Sequence, residues 1–289
     1  MGNILEVLNL NKEFMNFSLE NVTFNLEKGS IMGFIGQNGA GKTTTIKLML
    51  NAIGKSSGQI KIFGRDNVDE EVYVKSHIGY VPDEDYFMSN STLRNHAKAL
   101  RVFYDNWSED IFNDYVSKWK IPLNQKISEF SKGMKTKAMF ALAFAHQPSL
   151  LILDEPTAGL DPVARIEVLD ILREFVSDGE KSVFFSTHIT SDLDKVADYI
   201  TLIHGGKIIE SLSVDKLEEK YIVLTGSIEE LKGLEKHFVG IRKGEIAFEG
   251  LILREKAHQY FKDIKGIKPN VENLLTFSIW GCNSYEKSY

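Results

Sequence analysis

The chain has 289 residues, about two domains' worth of sequence, and its 43% hydrophobic and 11% aromatic content against 26% charged residues excludes wholesale disorder. Thirty-four basic side chains against 40 acidic ones give a formal charge of −6 at pH 7, so no global positive field exists to condense on phosphate backbones, which argues against a nucleic-acid partner. The single cysteine, Cys282, can form no internal disulfide or cysteine-based metal cluster and fits a reducing compartment.

The N-terminal residues Met1 to Glu6 carry no basic stretch leading into a long apolar run, so no secretory signal is expected. Val22, Phe24 and Leu26 alternate with polar neighbours, and after a turn at Lys28-Gly29 the apolar run Ile31 to Ile35 predicts a second strand. A glycine-dense loop follows, then helical spacing over Thr43 to Ala52 ending before Gly54. Ser91 to Ala145 contains no strand pattern but several amphipathic stretches, one opened by Ser108 with Glu109 and Asp110 in its first turn, and is read as a helical subdomain. The densest apolar stretches, Met139 to Ala145 and Leu150 to Leu153, fall short of the roughly 18 residues a membrane-spanning helix needs.

Strands are expected at Leu150 to Leu153 and Ser182 to Phe185, with a helix over Pro162 to Val176 between them and Gly179 as its stop. Strands alternating with helices argue for a mostly parallel sheet. Tyr199 to His204, Gly205-Gly206 and Lys207 to Ile209 read as a hairpin whose two-residue turn needs positive φ. From Tyr221 the pattern restarts as a strand, a helix with a capping box at Ser227 and Glu230, and an alternating region at Ile246, Phe248 and Leu251. Residues 1–220 are therefore expected to form the main domain, with its helical subdomain at about 84–146. Residues 221–289 are read as a small C-terminal α/β accessory domain.

Gly36-Gln37-Asn38-Gly39-Ala40-Gly41-Lys42-Thr43 fits the phosphate-loop pattern between an apolar strand and a helix. Its glycines let backbone N–H groups curl round a β-phosphate, the helix N-terminus adds partial positive charge, Lys42 reaches the β/γ oxygens, and Thr43 offers a hydroxyl to Mg²⁺. Thr44 extends the same site. The dinucleotide fingerprint fails, because Thr44 stands where a small glycine or alanine is required. Leu150 to Glu155 is a buried-type strand ending in two carboxylates. Asp154 is assigned to the magnesium through water, and Glu155 to polarising the attacking water as general base. Ser182 to His188 places an imidazole just past another strand, and His188 is assigned to the γ-phosphate.

Together these residues resemble the nucleotide-binding subunit of an ATP-binding cassette (ABC) transporter over roughly Ile4 to Glu210. The family's signature resembles Phe130-Ser131-Lys132-Gly133-Met134, its D-loop resembles Gly159-Leu160-Asp161, and its switch histidine matches His188. The resemblance implies a phosphate-loop NTPase of α/β class, with an antiparallel β-subdomain beside the central sheet, and two such subunits sandwiching two ATP molecules. Ser131 and the backbone at Gly133 would then donate to ATP held by the other subunit. Phe14 is the candidate for stacking on adenine, with Phe17 close behind. Many relatives carry glutamine where this chain has Asp83, which could bind magnesium through an oxygen. The signature departs too, with Lys132 and Met134 where glycine and glutamine are commonest.

Such signatures resemble those of small bacterial exporters of peptides and antimicrobials whose membrane subunit is a separate polypeptide. The expectation is an ATP-hydrolysing subunit on the cytoplasmic face of the membrane, docked to a permease through the region of Tyr86, Phe87, Phe103, Tyr104 and Trp107. The alternatives are a soluble non-transport ABC ATPase or a regulatory ATP-dependent clamp. The single uninterrupted cassette argues against the translation and DNA-repair types, and the intact Glu155 argues against the clamp.

Overall fold

The computed structural model describes residues 2–261 and 266–286, with side chains as far as Gly281. Cys282, on which the reading of a reducing compartment rests, lies outside the described side chains. The chain opens with β1 (Asn3–Glu13), β2 (Ser18–Glu27), β3 (Ile31–Ile35), α1 (Lys42–Met49), β4 (Ser57–Ile62), β5 (Arg65–Asp66), α2 (Glu71–Ser76) and β6 (Ile78–Val81). Then come α3 (Leu93–Leu100), α4 (Glu109–Lys118), α5 (Lys132–Ala145), β7 (Leu150–Asp154), α6 (Pro162–Val176), β8 (Ser182–Thr187) and α7 (Thr190–Val196). It closes with β9 (Tyr199–His204), β10 (Lys207–Ser213), α8 (Val214–Lys220), β11 (Tyr221–Ser227), α9 (Ile228–Leu231), β12 (Phe238–Lys243), β13 (Ala247–Leu253), α10 (Arg254–Tyr260), β14 (Gly266–Ile267) and α11 (Val271–Glu286).

The central sheet runs β10-β9-β3-β8-β7-β6, parallel throughout except for the β9–β10 hairpin. Every residue of β3, β7 and β8 is buried, as expected for strands covered on both faces. An antiparallel sheet, β2-β1-β4-β5, stands beside it. Its apolar residues Leu5, Val22, Phe24 and Ile60 share one core with Phe34 and Phe184 of the central sheet. The helical segment packs back through α5, whose second half is buried between α4 and β6.

Caps place the helices where the sequence suggests. Ser108 Oγ accepts from Ile111 N at 3.2 Å, and Asp161 Oδ1 accepts from Val163 N and Ala164 N, each at 3.0 Å. Two boundaries differ. The helix expected to reach Ala52 ends at Met49, because the buried Asn67 side chain donates to the carbonyls of Leu48 and Met49 at 2.8 and 3.0 Å. The strands expected to stop at Leu153 and Phe185 run on to Asp154 and Thr187, since the parallel ladder continues through the pair Asp154 and Ser186.

A third sheet, β12-β13-β11-β14, is wholly antiparallel and carries α11 against β12. Ser227 and Glu230 form their capping box. Phe248 is buried in this unit with Phe238 and Phe261 against it, whereas Tyr260 is exposed and stacks on His237. The unit has a small core of its own around Ile222, Leu224 and Ile252. Its other face, with Val223, Leu251, Val271, Leu274 and Phe277, joins the main core beside Leu193 and Val196.

Candidate active site

The parallel strands bring four chain segments to one carboxyl edge, where open α/β sheets hold ligands. They are the loop after β3, the residues after β6, the end of β7 and the end of β8. The loop reaches α1 through Gly41, which has φ +116 and whose added Cβ would meet Leu19 Cδ2 at 2.6 Å, so glycine alone fits there. No side chain caps α1, leaving its first N–H groups facing the loop. Lys42 is buried. Its Nζ donates to the carbonyls of Gly36 at 2.8 Å and Gln37 at 3.3 Å and lies 3.2 Å from Glu155 Oε1.

Glu155 follows the last residue of β7 with φ +50, a conformation side chains rarely adopt. Its N–H donates to Ser186 O at 3.0 Å. Its Oε2 accepts from His188 N–H at 3.2 Å and lies 2.8 Å from His188 Nδ1. One carboxylate thus bridges Lys42 and His188. Asp154 is buried, and its Oδ1 accepts from Ser186 Oγ at 2.6 Å. Partial burial pushes the Asp83 carboxyl above its usual range; Lys132 opposes the shift, while Asp154, Glu155 and Glu84 reinforce it. Burial, aided by Asp154 and Asp83, pushes the Tyr80 hydroxyl up to about 12.

A cavity of about 650 Å³ gathers Asn38, Gly39, Gly41, Lys42, Thr43 and Thr44 with Asp83 and Glu155, and Asn16 and Phe17 close its other side. Phe14 lines an adjoining cavity of about 670 Å³ that shares Asn16, Phe17 and Gly39. It is 48% exposed, with its ring 6.4 Å from that of Phe17. Ser131 and Gly133 do not line the phosphate-loop cavity. Ser131 instead caps α5, its Oγ accepting from Met134 N at 3.2 Å. Lys132 and Lys135 beside it line a third cavity of about 430 Å³ with Asp83 and Asp85, and Lys135 Nζ pairs with Asp85 Oδ2 at 3.1 Å.

Of the aromatics in the helical segment, Tyr86 and Phe103 are exposed, Tyr104 and Trp107 are half-buried, and Phe87 is buried edge-on to His96. Phe87 therefore belongs to the core. Sequence reasoning missed Ser186 and Asn16. The only signal for Ser186 is its place two residues before His188, on the strand register that faces Asp154.

A phosphate loop with a buried lysine, a strand-end acid pair and a histidine against the second acid define a nucleotide-hydrolysing class. The ABC transporter family pattern matches residues 19–158. The bacitracin transport ATP-binding protein BcrA of Bacillus licheniformis is 32% identical over 262 residues, covering 87% of this chain and 85% of that protein. The lantibiotic transport ATP-binding protein SrtF of Streptococcus pyogenes is 33% identical over 218 residues, covering 74% of this chain and 93% of that protein. A solved structure of the ATP-binding subunit of an ABC transporter superposes with TM-score 0.68 at 29% identity, covering 75% of this chain and 92% of that one.

The chain belongs to the ABC transporter family as an ATP-binding subunit. It binds and hydrolyses ATP in the service of transport, and such subunits work with membrane permease components. No helix among the described residues is long and apolar enough to cross a membrane.

Proposed function

We propose that two cassettes close over two ATP molecules and thereby drive export through a separate transmembrane permease. The observation that carries this reading is the Lys42–Glu155–His188 array at the carboxyl edge of the sheet. The backbone of Gly36, Gln37, Asn38, Gly39, Ala40 and Gly41 cradles the phosphates, Lys42 reaches the β/γ oxygens, and Thr43 and Thr44 hold the loop's helical end. Glu155 orients the attacking water and takes its proton, and His188 contacts the γ-phosphate. Phe14 stacks on adenine. Ser131 and Gly133 face the ATP of the other subunit, consistent with their absence from their own chain's cavity.

The donor set suits Mg²⁺. Thr43 and Asp83 are hard oxygen donors on one cavity, Asp154 lies next to it, and the crowding of three acids there favours a cation. Among the described residues no group of three or more His, Cys, Asp or Glu could hold a metal alone, which fits an ion whose remaining ligands are phosphate oxygens and water. When bound, the ion neutralises charge developing on the phosphates.

Residues 1–220 act as the cassette, with the helical subdomain at about 84–146, and residues 221–289 as an accessory domain. The permease docks on the helical subdomain, where Tyr86, Met88, Val102 and Phe103 are exposed, and this holds the subunit at the cytoplasmic face of the membrane. The named cargoes of the two relatives, bacitracin and a lantibiotic, make a peptide antibiotic the exported class. Glu155→Gln tests the core of this reading. The variant binds ATP with unchanged affinity and hydrolyses it at least about 100-fold more slowly; turnover at the wild-type rate overturns it.

A further inference from the structure

Three consecutive residues of α7 tie it to three different elements. Asp192 is fully buried, accepting from Thr157 Oγ1 at 2.7 Å and from Arg165 Nε of α6. Leu193, also fully buried, presses on Gly33 of β3 so closely that a Cβ there would lie 2.6 Å from it. Asp194 reaches the other way: its Oδ1 accepts from Val271 N–H, the first residue of α11, at 3.1 Å. Beneath that bond Val271, Leu274 and Phe277 of α11 share a core with Leu193 and Val196. α7 starts two residues after His188, and with seven residues it cannot hold itself in place.

The far side of α11 is fixed just as closely. It crosses β12 where both surfaces are bare of side chains: a Cβ on Gly240 would lie 1.9 Å from Phe277 O, and one on Gly281 would lie 1.9 Å from Val239 O. Such an approach leaves little room for α11 to move without β12. A shift of the C-terminal sheet is thereby carried into α11, and from α11 through Asp194 into α7.

We propose that the C-terminal unit positions His188 through α11, with Asp194 as the positioning residue that joins them. This rests on the role given above to His188. The carboxylate suits the position, because it meets the N-terminus of a 16-residue helix, where negative charge is favoured. It does not line the phosphate-loop cavity, so its effect runs through the placement of α7.

The test uses the full chain carrying Asp194→Ala or Asp194→Asn, read by amide hydrogen exchange and by steady-state ATP hydrolysis, with His188→Ala as reference. Asp194 is exposed, so both variants fold. In Asp194→Ala the amides of residues 189–196 exchange about tenfold faster or more, and kcat falls about tenfold while KM for ATP stays within about twofold. Asp194→Asn retains the Oδ1 acceptor and stays near wild type in both readouts. Unchanged exchange or unchanged kcat in Asp194→Ala overturns the proposal, as does an equal loss in Asp194→Asn. If His188→Ala hydrolyses ATP at the wild-type rate, the role of His188 fails, while exchange at 189–196 still decides whether Asp194 holds α7.

Discussion

Glu155 shows what the site demands of a single residue. It sits at φ +50, a conformation that costs a residue with a side chain about 1–2 kcal/mol, and from there its two oxygens reach Lys42 and His188. Ser186 supports both acids at once, since its hydroxyl donates to Asp154 and its carbonyl accepts from Glu155 N–H. The fully buried Asp192 is a further acid held in place, accepting from Thr157 and Arg165. Asp192→Ala removes the acceptor of Arg165 Nε and Thr157 Oγ1 and leaves Arg165 with Ser191 Oγ at 2.8 Å, and is expected to lower stability by about 2 kcal/mol, measured by urea unfolding. A loss under about 0.5 kcal/mol would show that the pair contributes nothing net. That Lys42, Asp154, Glu155 and His188 gather at one edge was legible in the sequence, because each stands at the carboxyl end of a central strand or opens the helix after one. Ser186 and Asp192 were not, since a serine in a buried strand and an acid in a short helix give no local sign of a partner 27 to 35 residues away.

Among the elements, α6 was read with the bounds it has, because Pro162 opens it and Gly179, at φ +72, follows its end; the Asp161 cap that fixes the start is seen in the structure. The N–H groups of Ala164 and then Val163 hold the Asp161 carboxyl below its usual range. A carboxylate whose folded value is depressed stabilises fully above its unfolded value of about 3.9 and loses that contribution as pH falls through the folded one. As pH falls below about 4, the thermal midpoint of wild type should therefore drop more steeply than that of Asp161→Asn. Parallel curves would contradict this. β1 escaped the sequence reading because its ladder is broken by register shifts on both sides and Asn9 takes φ +46, so its apolar residues do not alternate. α11 escaped because its closest packing depends on Gly240, some thirty residues or more upstream, a dependence no local periodicity records.

At the scale of the whole molecule, the central sheet acts as a frame that brings the phosphate loop, Asp83, the acid pair and His188 to one edge. The signature residues Ser131 and Gly133 lie off that cavity. On the function proposed above, the site is half of a composite and pairing is the step that completes it. The C-terminal unit adds a second route into the same site, through α11 and α7. It shares a core with the cassette while keeping a small one of its own, an arrangement suited to transmitting a shift.

The most direct measurement of pairing is light scattering on Glu155→Gln with and without ATP and magnesium, because blocked hydrolysis traps whatever ATP assembles. Nucleotide is expected to double the mass from monomer to dimer. A chain that binds ATP and remains monomeric would contradict self-pairing and assign completion of the site to a different subunit.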